Sequence, residues 1–166
     1  MRGLKLYEVN PNYIKYLAQY QEHIFISDGD KASRKYIGIL LQINDIKYFA
    51  PLSSFKVKHK KMKESVDFIK IHNYAVINLN NMIPVPEGCY HEFNIFLEKD
   101  LKYKGLLIDQ VQVLRSFKNQ EDILRRAQIV YKLKKRKSSY NYIKLATVDF
   151  ELLERNCDEW NKVFIK

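Results

Sequence analysis

The spacing of apolar residues changes once along this chain, near residue 98, and this change restricts the fold more than any other feature. Before it, short apolar runs with strand-like spacing are separated by turn residues, and after it apolar residues recur at helical spacing. A strand-rich half followed by a helical half is typical of α+β proteins and differs from the strand–helix alternation that builds a parallel sheet. We therefore predict an α+β fold and expect residues 1–166 to form a single domain.

The first half contains five predicted strands and one early helix. The strands are expected at residues 4–9, 36–43, 46–50, 67–71 and 74–79. Pro11 suits the first turn of the helix, and Asn44-Asp45 is typical of a turn that joins two strands into a hairpin. Pro51 is expected to end the apolar run of the third strand, and Pro84 and Pro86 are expected to end the strand-rich half.

The second half contains three predicted helices. Apolar residues at helical spacing indicate one long helix over residues 101–117. Asn119 is a suitable N-cap for the next helix, with Glu121 near the positive end of its dipole. That helix is expected to end in the basic run 132–137, because cations complement the negative end of the dipole. Asp149 is expected to cap the last helix.

The chain carries a formal net charge of +10 and a pI near 9.5. Such a field attracts polyanions, so nucleic acid is the first candidate ligand and an anionic membrane surface is the second. The 12 Tyr and 9 Phe favour nucleic acid, since their rings offer faces on which unpaired bases stack. A lysine-rich composition also arises from codon bias and from solubility, so the charge by itself leaves that alternative open.

The sequence carries only a weak hint of a metal site, at Tyr90-His91-Glu92, which is more typical of a surface turn, and we expect neither a metal nor a cofactor. Walker A, GxGxxG, GxSxG and HExxH patterns are absent, and Cys89 and Cys157 lack metal-ligand spacing. Two cysteines far apart in the sequence fit a reduced cytosolic compartment. The N-terminus does not resemble a signal peptide, and no apolar run reaches the roughly 18 residues of a membrane span. A cytoplasmic location is therefore expected.

Residues 47–63 carry the densest chemical signal in the chain. Two adjacent hydroxyls, Ser53 and Ser54, precede a basic run that consists of Lys56, Lys58, His59, Lys60, Lys61 and Lys63. Ammonium groups hold phosphate oxygens and hydroxyls donate to one of them, so this composition suits a phosphodiester. RNA cleavage needs no protein nucleophile, because the adjacent 2′-OH attacks while the protein orients it, neutralises charge and assists proton transfer. Lys35 can meet Lys56 across the mouth of the predicted hairpin.

Each of these features also has a purely structural explanation. Paired serines are typical of turns in which hydroxyls bond the local backbone, and a lysine run is typical of a solvated loop. The run 132–137 fits a helix terminus, and Tyr13 fits a core position. The residues alone therefore indicate a nucleic-acid-binding domain, either an enzyme that cleaves RNA or a non-catalytic RNA-binding module. A DNA-binding repressor is less well supported, since no convincing helix-turn-helix with a basic recognition helix is present.

Four segments form a recognisable set in a fixed order. They are residues 12–17 (NYIKYL), 34–39 (RKYIGI), 48–54 (YFAPLSS) with Lys56 and His59 after it, and 77–85 (INLNNMIPV). This ordered set resembles the ToxN/AbiQ family of endoribonuclease toxins from type III toxin–antitoxin systems. The resemblance implies a fold similar to the Kid/MazF toxins, with a strongly bent antiparallel sheet or small barrel, surrounding helices and a helical C-terminal half.

The resemblance also implies an activity and a set of partners. The activity is metal-independent cleavage of A-rich mRNA by the 2′-OH, which gives a 2′,3′-cyclic phosphate and a 5′-OH. The antitoxin is implied to be a repeat RNA that the toxin cuts into pseudoknots, which then inhibit it in a ring of alternating protein and RNA. A role in phage abortive infection or in plasmid or locus maintenance is implied, with no membrane and no DNA partner.

Five residues match positions that the family ties to activity: Tyr13, Lys35, Ser53, Ser54 and Lys56. In this interpretation the two serines hold the scissile phosphate, and Lys35 stabilises the transition-state charge or protonates the leaving oxygen. Tyr13 orients the nucleotide and Lys56 clamps a phosphate. The basic residues expected in the antitoxin groove are Lys58, His59, Lys60, Lys61, Lys63, Lys134, Lys135, Arg136 and Lys137.

Overall fold

A computed structural model describes residues 3–24, 26, 34–136 and 145–164 of the chain. The strands are β1 (Lys5–Val9), β2 (Tyr36–Ile43), β3 (Ile46–Ser54), β4 (Phe68–Ile71), β5 (Ala75–Asn78), β6 (Ile83–Val85) and β7 (Tyr90–Glu92). The helices whose full extent lies in these ranges are α1 (Pro11–Ala18), α2 (Val57–Lys61), α3 (Leu101–Leu114), α4 (Phe117–Lys135) and α5 (Phe150–Phe164). Short 3-10 turns cover Leu79–Asn81 and Ile95–Leu97.

The strands of the described ranges form one antiparallel sheet that stays open. The order along the sheet is β4-β5-β3-β2-β1-β7, and β6 also pairs with β3. One edge of β3 is divided, because residues 47–49 pair with β6 and residues 52–54 pair with β5. The prediction of an α+β fold with an antiparallel sheet and a helical C-terminal half is confirmed, and the sheet is not closed into a barrel.

Strand β3 is longer than the sequence pattern predicted. It continues through Pro51 to Ser54, so the expectation that the strand ends at Pro51 is wrong. Beyond the proline, β3 gains a new partner in β5, which restores strand pairing for residues 52–54. The serine pair therefore lies in a strand and not in the turn that the sequence pattern also allowed.

The strand-rich half also extends beyond the two prolines that were expected to end it. Pro84 lies within β6, opposite Tyr48 of β3, and β7 follows after a short connection. Strand β6 pairs only with β3 among the described strands, and proline is tolerated on such an edge because it needs no second ladder bond. A proline marks a local break in the sequence, but the partner strand decides whether pairing occurs.

Helices α3 and α4 correspond to the two helices predicted in this region, but α3 ends at Leu114 instead of residue 117, and α4 begins at Phe117. Ser116 caps α4, and its side chain accepts a hydrogen bond of 3.4 Å from the backbone N–H of Asn119. The prediction that Asn119 is the N-cap is therefore wrong by three residues, because both side chains suit the position. Asp149 does cap α5, as predicted, and accepts a hydrogen bond of 3.0 Å from the backbone N–H of Leu152.

A contiguous hydrophobic core joins the sheet to α4 and α5. A shared carboxylate fixes this arrangement. The hydroxyls of Tyr48 in β3 and Tyr131 in α4 each donate a hydrogen bond of 2.6 Å to Oε1 of Glu154 in α5. Burial raises the pKa of the Tyr48 hydroxyl, and the neighbouring Glu154 carboxylate raises it further. The two long helices are thereby held against β3, the strand that carries the serine pair.

Gly38 of β2 lies where a side chain has no room. A Cβ atom at this position would lie 2.3 Å from Cδ1 of Phe49 and 2.5 Å from its Cε1, and Phe49 is fully buried. Gly38→Ala is therefore expected to lower the free energy of unfolding by about 1–3 kcal/mol, measured by urea denaturation. The matched control is Gly105→Ala in α3, where a Cβ meets nothing within 4 Å and helix propensity favours alanine. Equal stability of the two variants would contradict this packing.

Candidate active site

The serine pair ends strand β3 beside β5. Ser53 lies opposite Val76 and Ser54 lies opposite Ala75. Ser53 is half-buried and Ser54 is exposed. Because successive strand residues point to opposite faces of a sheet, the two hydroxyls lie on different sides of the strand end. Ser54 is therefore the more accessible donor for an oxygen of a bound phosphate.

The backbone of Lys35 lies beside this end of β3. The N–H of Leu52 donates to the Lys35 carbonyl at 2.9 Å, which places Lys35 across from the residue before Ser53. The Lys35 side chain is 4% exposed, and its Nζ contacts Oε1 of Glu8 and lies 3.9 Å from the centroid of the Phe93 ring. The sequence suggested that Lys35 lies close to Lys56, the next lysine after the serines. In the structure the Lys35 ammonium forms an ion pair with Glu8.

Glu8 is the centre of a charged row that the sequence analysis missed. Its Oε2 lies 3.1 Å from Nε2 of His91, the residue opposite it in β7, and its Oε1 contacts the Lys35 ammonium from the other side. Exposure rises along the row from 4% at Lys35 to 23% at Glu8 and 70% at His91. One signal was available, because Glu8 stands where the alternation of Leu4 and Leu6 calls for an apolar residue.

The turn after the serines is fixed by a buried histidine. Nδ1 of His59 accepts a hydrogen bond of 3.0 Å from the backbone N–H of Lys56, just before α2. The imidazole is 6% exposed and packs against Phe55 and Phe68, with ring centroids 5.5 and 5.8 Å away. This burial does not support the predicted RNA contact of His59. Its contacts instead hold the backbone of Lys56 in place behind the serine pair.

Acidification is expected to weaken this turn. Burial lowers the pKa of the His59 imidazole below 6.5, and the nearby charges of Lys58 and Lys56 lower it further. The unfolded chain therefore binds a proton at the His59 imidazole more readily than the folded chain does. The stabilising effect of the neutral, buried imidazole is complete above pH 6.5 and is lost as pH falls through the folded pKa. In urea denaturation between neutral pH and about pH 5, His59→Asn should show a smaller acid-induced loss of stability than wild type.

The control for this prediction is His72→Asn. His72 is exposed and has a φ of 47°, a conformation that asparagine also adopts readily. This variant should keep the full acid-induced loss of stability. If His59→Asn and His72→Asn behaved alike, the buried imidazole would not be the group responsible.

The lysines around α2 form an exposed basic surface beside the serines. The exposed members are Lys56, Lys58, Lys60, Lys61 and Lys63. Exposed ammonium groups on one short helix and its flanks are suited to phosphate contacts that do not depend on base sequence. Their role in an RNA groove stays a prediction. Among the other predicted RNA-binding residues, Arg136 is exposed and Lys137 lies outside the described residues.

Lys134 and Lys135 are engaged within the protein. Nζ of Lys134 donates to the backbone carbonyl of Thr147 at 2.7 Å. Nζ of Lys135 lies 3.4 Å from Oε2 of Glu154 and donates to the hydroxyl of Tyr131 at 3.1 Å. These contacts tie the end of α4 to α5 and to the residues that precede it. RNA binding by this pair stays a prediction, and it would require both ammonium groups to exchange their partners.

Tyr13 lies in the core, away from solvent. Its side chain is 0% exposed, and its hydroxyl donates to the carbonyl of Pro84 at 2.7 Å. The ring packs edge-on against Trp160 with centroids 5.3 Å apart, and burial raises the pKa of the hydroxyl well above its usual value. This placement does not support a direct contact between Tyr13 and a nucleotide, and it favours a role in holding α1 against β6.

The described part of the chain holds no cluster of three or more His, Cys, Asp or Glu side chains that could bind a metal ion. In the same residues no helix is both long and apolar enough to cross a membrane. Cys89 and Cys157 are both buried free thiols. The exposed side chains at the end of β3 carry hydroxyl and ammonium groups, which suit an oxyanion.

Known proteins are similar to this chain in sequence and in fold. A family model described as Toxin ToxN, type III toxin–antitoxin system, matches residues 5–158. The chain is 30% identical to the Endoribonuclease ToxN of Bacillus thuringiensis subsp. kurstaki over 167 residues, which cover 95% of this chain and 84% of that protein.

Two solved structures are similar as well. One concerns a type III toxin that a non-coding RNA pseudoknot selectively inhibits, with a TM-score of 0.85, 27% identity, and coverage of 96% of this chain and 99% of that chain. The other concerns a bacterial antiviral system that a processed non-coding RNA regulates, with a TM-score of 0.80, 28% identity, and coverage of 93% and 98%.

The family match spans both halves of the chain. It includes the four ordered segments between residues 12 and 85, and it continues through α3 and α4 into α5, where the sequence had shown only a similar pattern. The resemblance to the ToxN/AbiQ toxins is thereby confirmed. The chain belongs to the ToxN family of endoribonuclease toxins from type III toxin–antitoxin systems.

Proposed function

We propose that this toxin cleaves A-rich mRNA, and its own repeat antitoxin RNA, at the end of β3. The observation that carries the proposal is the exposed Ser54 hydroxyl, which lies beside Ser53 and two residues before the exposed ammonium of Lys56. Hydroxyl donors and a cation at an open strand end suit a phosphodiester whose charge grows during the reaction. The basic surface around α2 extends this site and suits the flanking phosphates.

The cleavage is metal-independent in this proposal, and the attacking group is the 2′-OH of the RNA. The exposed Ser54 hydroxyl donates to a non-bridging oxygen, the Ser53 hydroxyl holds the phosphate from the other side of the strand end, and Lys56 neutralises the charge of the phosphorane. The 2′-oxygen forms a bond to phosphorus while the bond to the 5′-oxygen breaks, which leaves a 2′,3′-cyclic phosphate and a 5′-OH. When bound RNA replaces Glu8 as the partner of the Lys35 ammonium, Lys35 stabilises the transition-state charge or donates a proton to the leaving 5′-oxygen. Because the Tyr13 side chain is buried, this proposal gives it a role in positioning α1 instead of a direct contact with the nucleotide.

The partner in this proposal is an RNA pseudoknot antitoxin that covers the site. Support comes from the net charge of +10, from the exposed lysines around α2 and from the similarity to a toxin that such an RNA inhibits. We further propose a ring of alternating toxin and RNA. The toxin meets both RNAs in the cytoplasm, where mRNA and the antitoxin transcript are present. Residues 1–166 act as one toxin domain, and its role is phage abortive infection or maintenance of its plasmid or locus.

The proposal is tested by product analysis. Purified toxin is incubated with A-rich RNA in the presence of EDTA, and the ends of the fragments are identified by mass spectrometry. We expect 2′,3′-cyclic phosphate and 5′-OH ends, and no cleavage when the 2′-OH of the cut nucleotide is replaced by 2′-O-methyl. Fragments with 5′-phosphates, or cleavage abolished by EDTA, would overturn the mechanism.

A non-catalytic RNA-binding module is the second candidate. The observation that favours it is the burial of two predicted catalytic residues, since Tyr13 is 0% exposed and Lys35 is 4% exposed. A binder would show steeply salt-dependent affinity for RNA and would leave the RNA intact after long incubation. Duplex DNA and structured RNA compared at matched salt separate both candidates from a DNA-binding protein.

A further inference from the structure

A cavity of about 930 Å³ lies outside β7, at the opposite end of the sheet from β4. Its walls come from the 3-10 turn at Ile95–Leu97, the C-terminal part of α3 and the junction between α3 and α4. Its volume is within the range of small-molecule sites and exceeds what one nucleotide needs. None of the residues assigned to the cleavage reaction lines it.

One wall of the cavity is aromatic and exposed. Phe96 is 80% exposed, and Ile108, across from it in α3, is 44% exposed. The backbone of Phe96 is fixed, because its N–H donates to Asn94 Oδ1 at 3.0 Å and its carbonyl accepts from Lys104 Nζ at 2.8 Å. An exposed phenylalanine ring on a fixed backbone, beside an apolar wall, is suited to stacking with an unpaired base.

The other wall is polar. Arg115, Gln112 and Ser116 line it, and the Arg115 side chain is exposed, while the carboxylate of Glu92, which also lines the cavity, is paired with Lys5 at 2.5 Å. Helix α4 begins directly after Ser116, so the positive end of a 19-residue helix lies at the rim. Flat apolar surface on one side and amide and guanidinium donors on the other match the two halves of a nucleotide, its base and its phosphate.

Phe93 connects this cavity to the proposed cleavage site. Its ring lines the cavity, and the Lys35 ammonium lies 3.9 Å from the centroid of the same ring. The backbone of Lys35 is in turn bonded to Leu52, next to Ser53. A base in the cavity is therefore separated from Lys35 by a single side chain. We propose that the cavity binds one base of the single-stranded RNA substrate, close to the nucleotide that is cut, and so selects the cleavage sequence. This inference rests on the proposed function.

A hydrophobic segment of a protein partner is the competing occupant of such a cavity. The exposed guanidinium of Arg115 and the connection to Lys35 favour RNA over protein, because covering this charge with a nonpolar segment costs free energy. The net charge of +10 also favours a polyanion over a neutral chain.

The first test measures binding without cleavage. The four nucleoside 5′-monophosphates and a fully 2′-O-methylated oligonucleotide, which cannot be cut by 2′-OH attack, are titrated into the toxin and followed by NMR. We expect shifts of the ring resonances of Phe93 and Phe96, largest for one of the four bases. These shifts should be lost in Phe96→Ala and Arg115→Ala. Shifts confined to the surface around α2, or no shifts, would overturn the inference.

The second test measures cleavage kinetics and sequence preference. Phe96→Ala and Arg115→Ala should each raise KM roughly 5- to 150-fold, the range for loss of one base stack, with kcat little changed. Phe96→Ala should also relax the preference for one base near the cut, whereas Arg115→Ala, which removes a phosphate contact, should weaken cleavage of all sequences alike. Matched controls are Phe164→Ala, whose ring is 61% exposed at the end of α5, and Arg125→Ala, which is exposed on α4. Wild-type kinetics and preference in the cavity variants would overturn the inference, whereas an inactive wild type would overturn the proposed function itself.

Discussion

Replacing Ser53 and Ser54 together with alanine is expected to abolish RNA cleavage while leaving the fold and pseudoknot binding nearly unchanged. Each hydroxyl that stabilises charge in the transition state contributes roughly 100- to 1,000-fold to the rate, so the double variant should lose at least that much. Neither side chain belongs to the hydrophobic core, so the effect on stability should be small. Growth inhibition on induction and single-turnover cleavage of labelled RNA measure the loss.

The single variants refine this expectation. Ser54 is exposed and Ser53 is half-buried, so Ser54→Ala should slow cleavage more than Ser53→Ala. Ser53→Thr keeps a hydroxyl and favours strand conformation, and it serves as the matched control that should retain activity. Full cleavage by the double alanine variant would refute the assignment of the site to the end of β3. Loss of both cleavage and pseudoknot binding would show instead that the serines serve RNA binding.

Lys35→Met is expected to slow cleavage by roughly 100-fold or more if its charge acts in the transition state. The same change removes the ammonium from Glu8, which is 23% exposed and also contacts His91. We expect the free energy of unfolding to fall by about 1–3 kcal/mol, less than the 3–5 kcal/mol typical of a fully buried pair. Urea denaturation and cleavage assays on the same samples measure the two effects.

The double variant Lys35→Met with Glu8→Gln separates catalysis from stability. Because it removes both charges, most of the lost stability should return, whereas cleavage should stay slow. Recovery of cleavage in the double variant would mean that Lys35 has a structural role only. A single variant Lys35→Ala that fails to fold would lead to the same conclusion.

The first half of the sheet could be predicted because its signals are local. The alternation in β1, the apolar run of β2 and the turn at Asn44-Asp45 are each contained within a few neighbouring residues. Asn44 has a φ of 52°, a conformation that asparagine tolerates better than most residues. The ends of β3 and the existence of β6 and β7 could not be predicted in this way, because each depends on a partner strand that is distant in sequence.

The candidate site shows the same division. The serines and Lys56 could be named from adjacent residues of the chain. Glu8 is visible locally as a break in the alternation of β1, but its contact with Lys35 could not be predicted, because strand pairing forms it across 27 residues. The burial of His59 was also not predictable, because a lysine-rich run indicates exposure and Phe68, one of the rings that covers the imidazole, lies nine residues further on.

The sequence by itself determined the α+β class, the positive charge, the serine–lysine chemistry and, through four ordered segments, the toxin family. These properties depend on residue type and short spacing, which a chain displays before it folds. Only the tertiary structure decided that the serines end a paired strand, that Lys35 contacts Glu8, and that Tyr13 and His59 are buried. Strand register and burial are set by contacts between distant residues, and a one-residue shift of register reverses which side chains face the core.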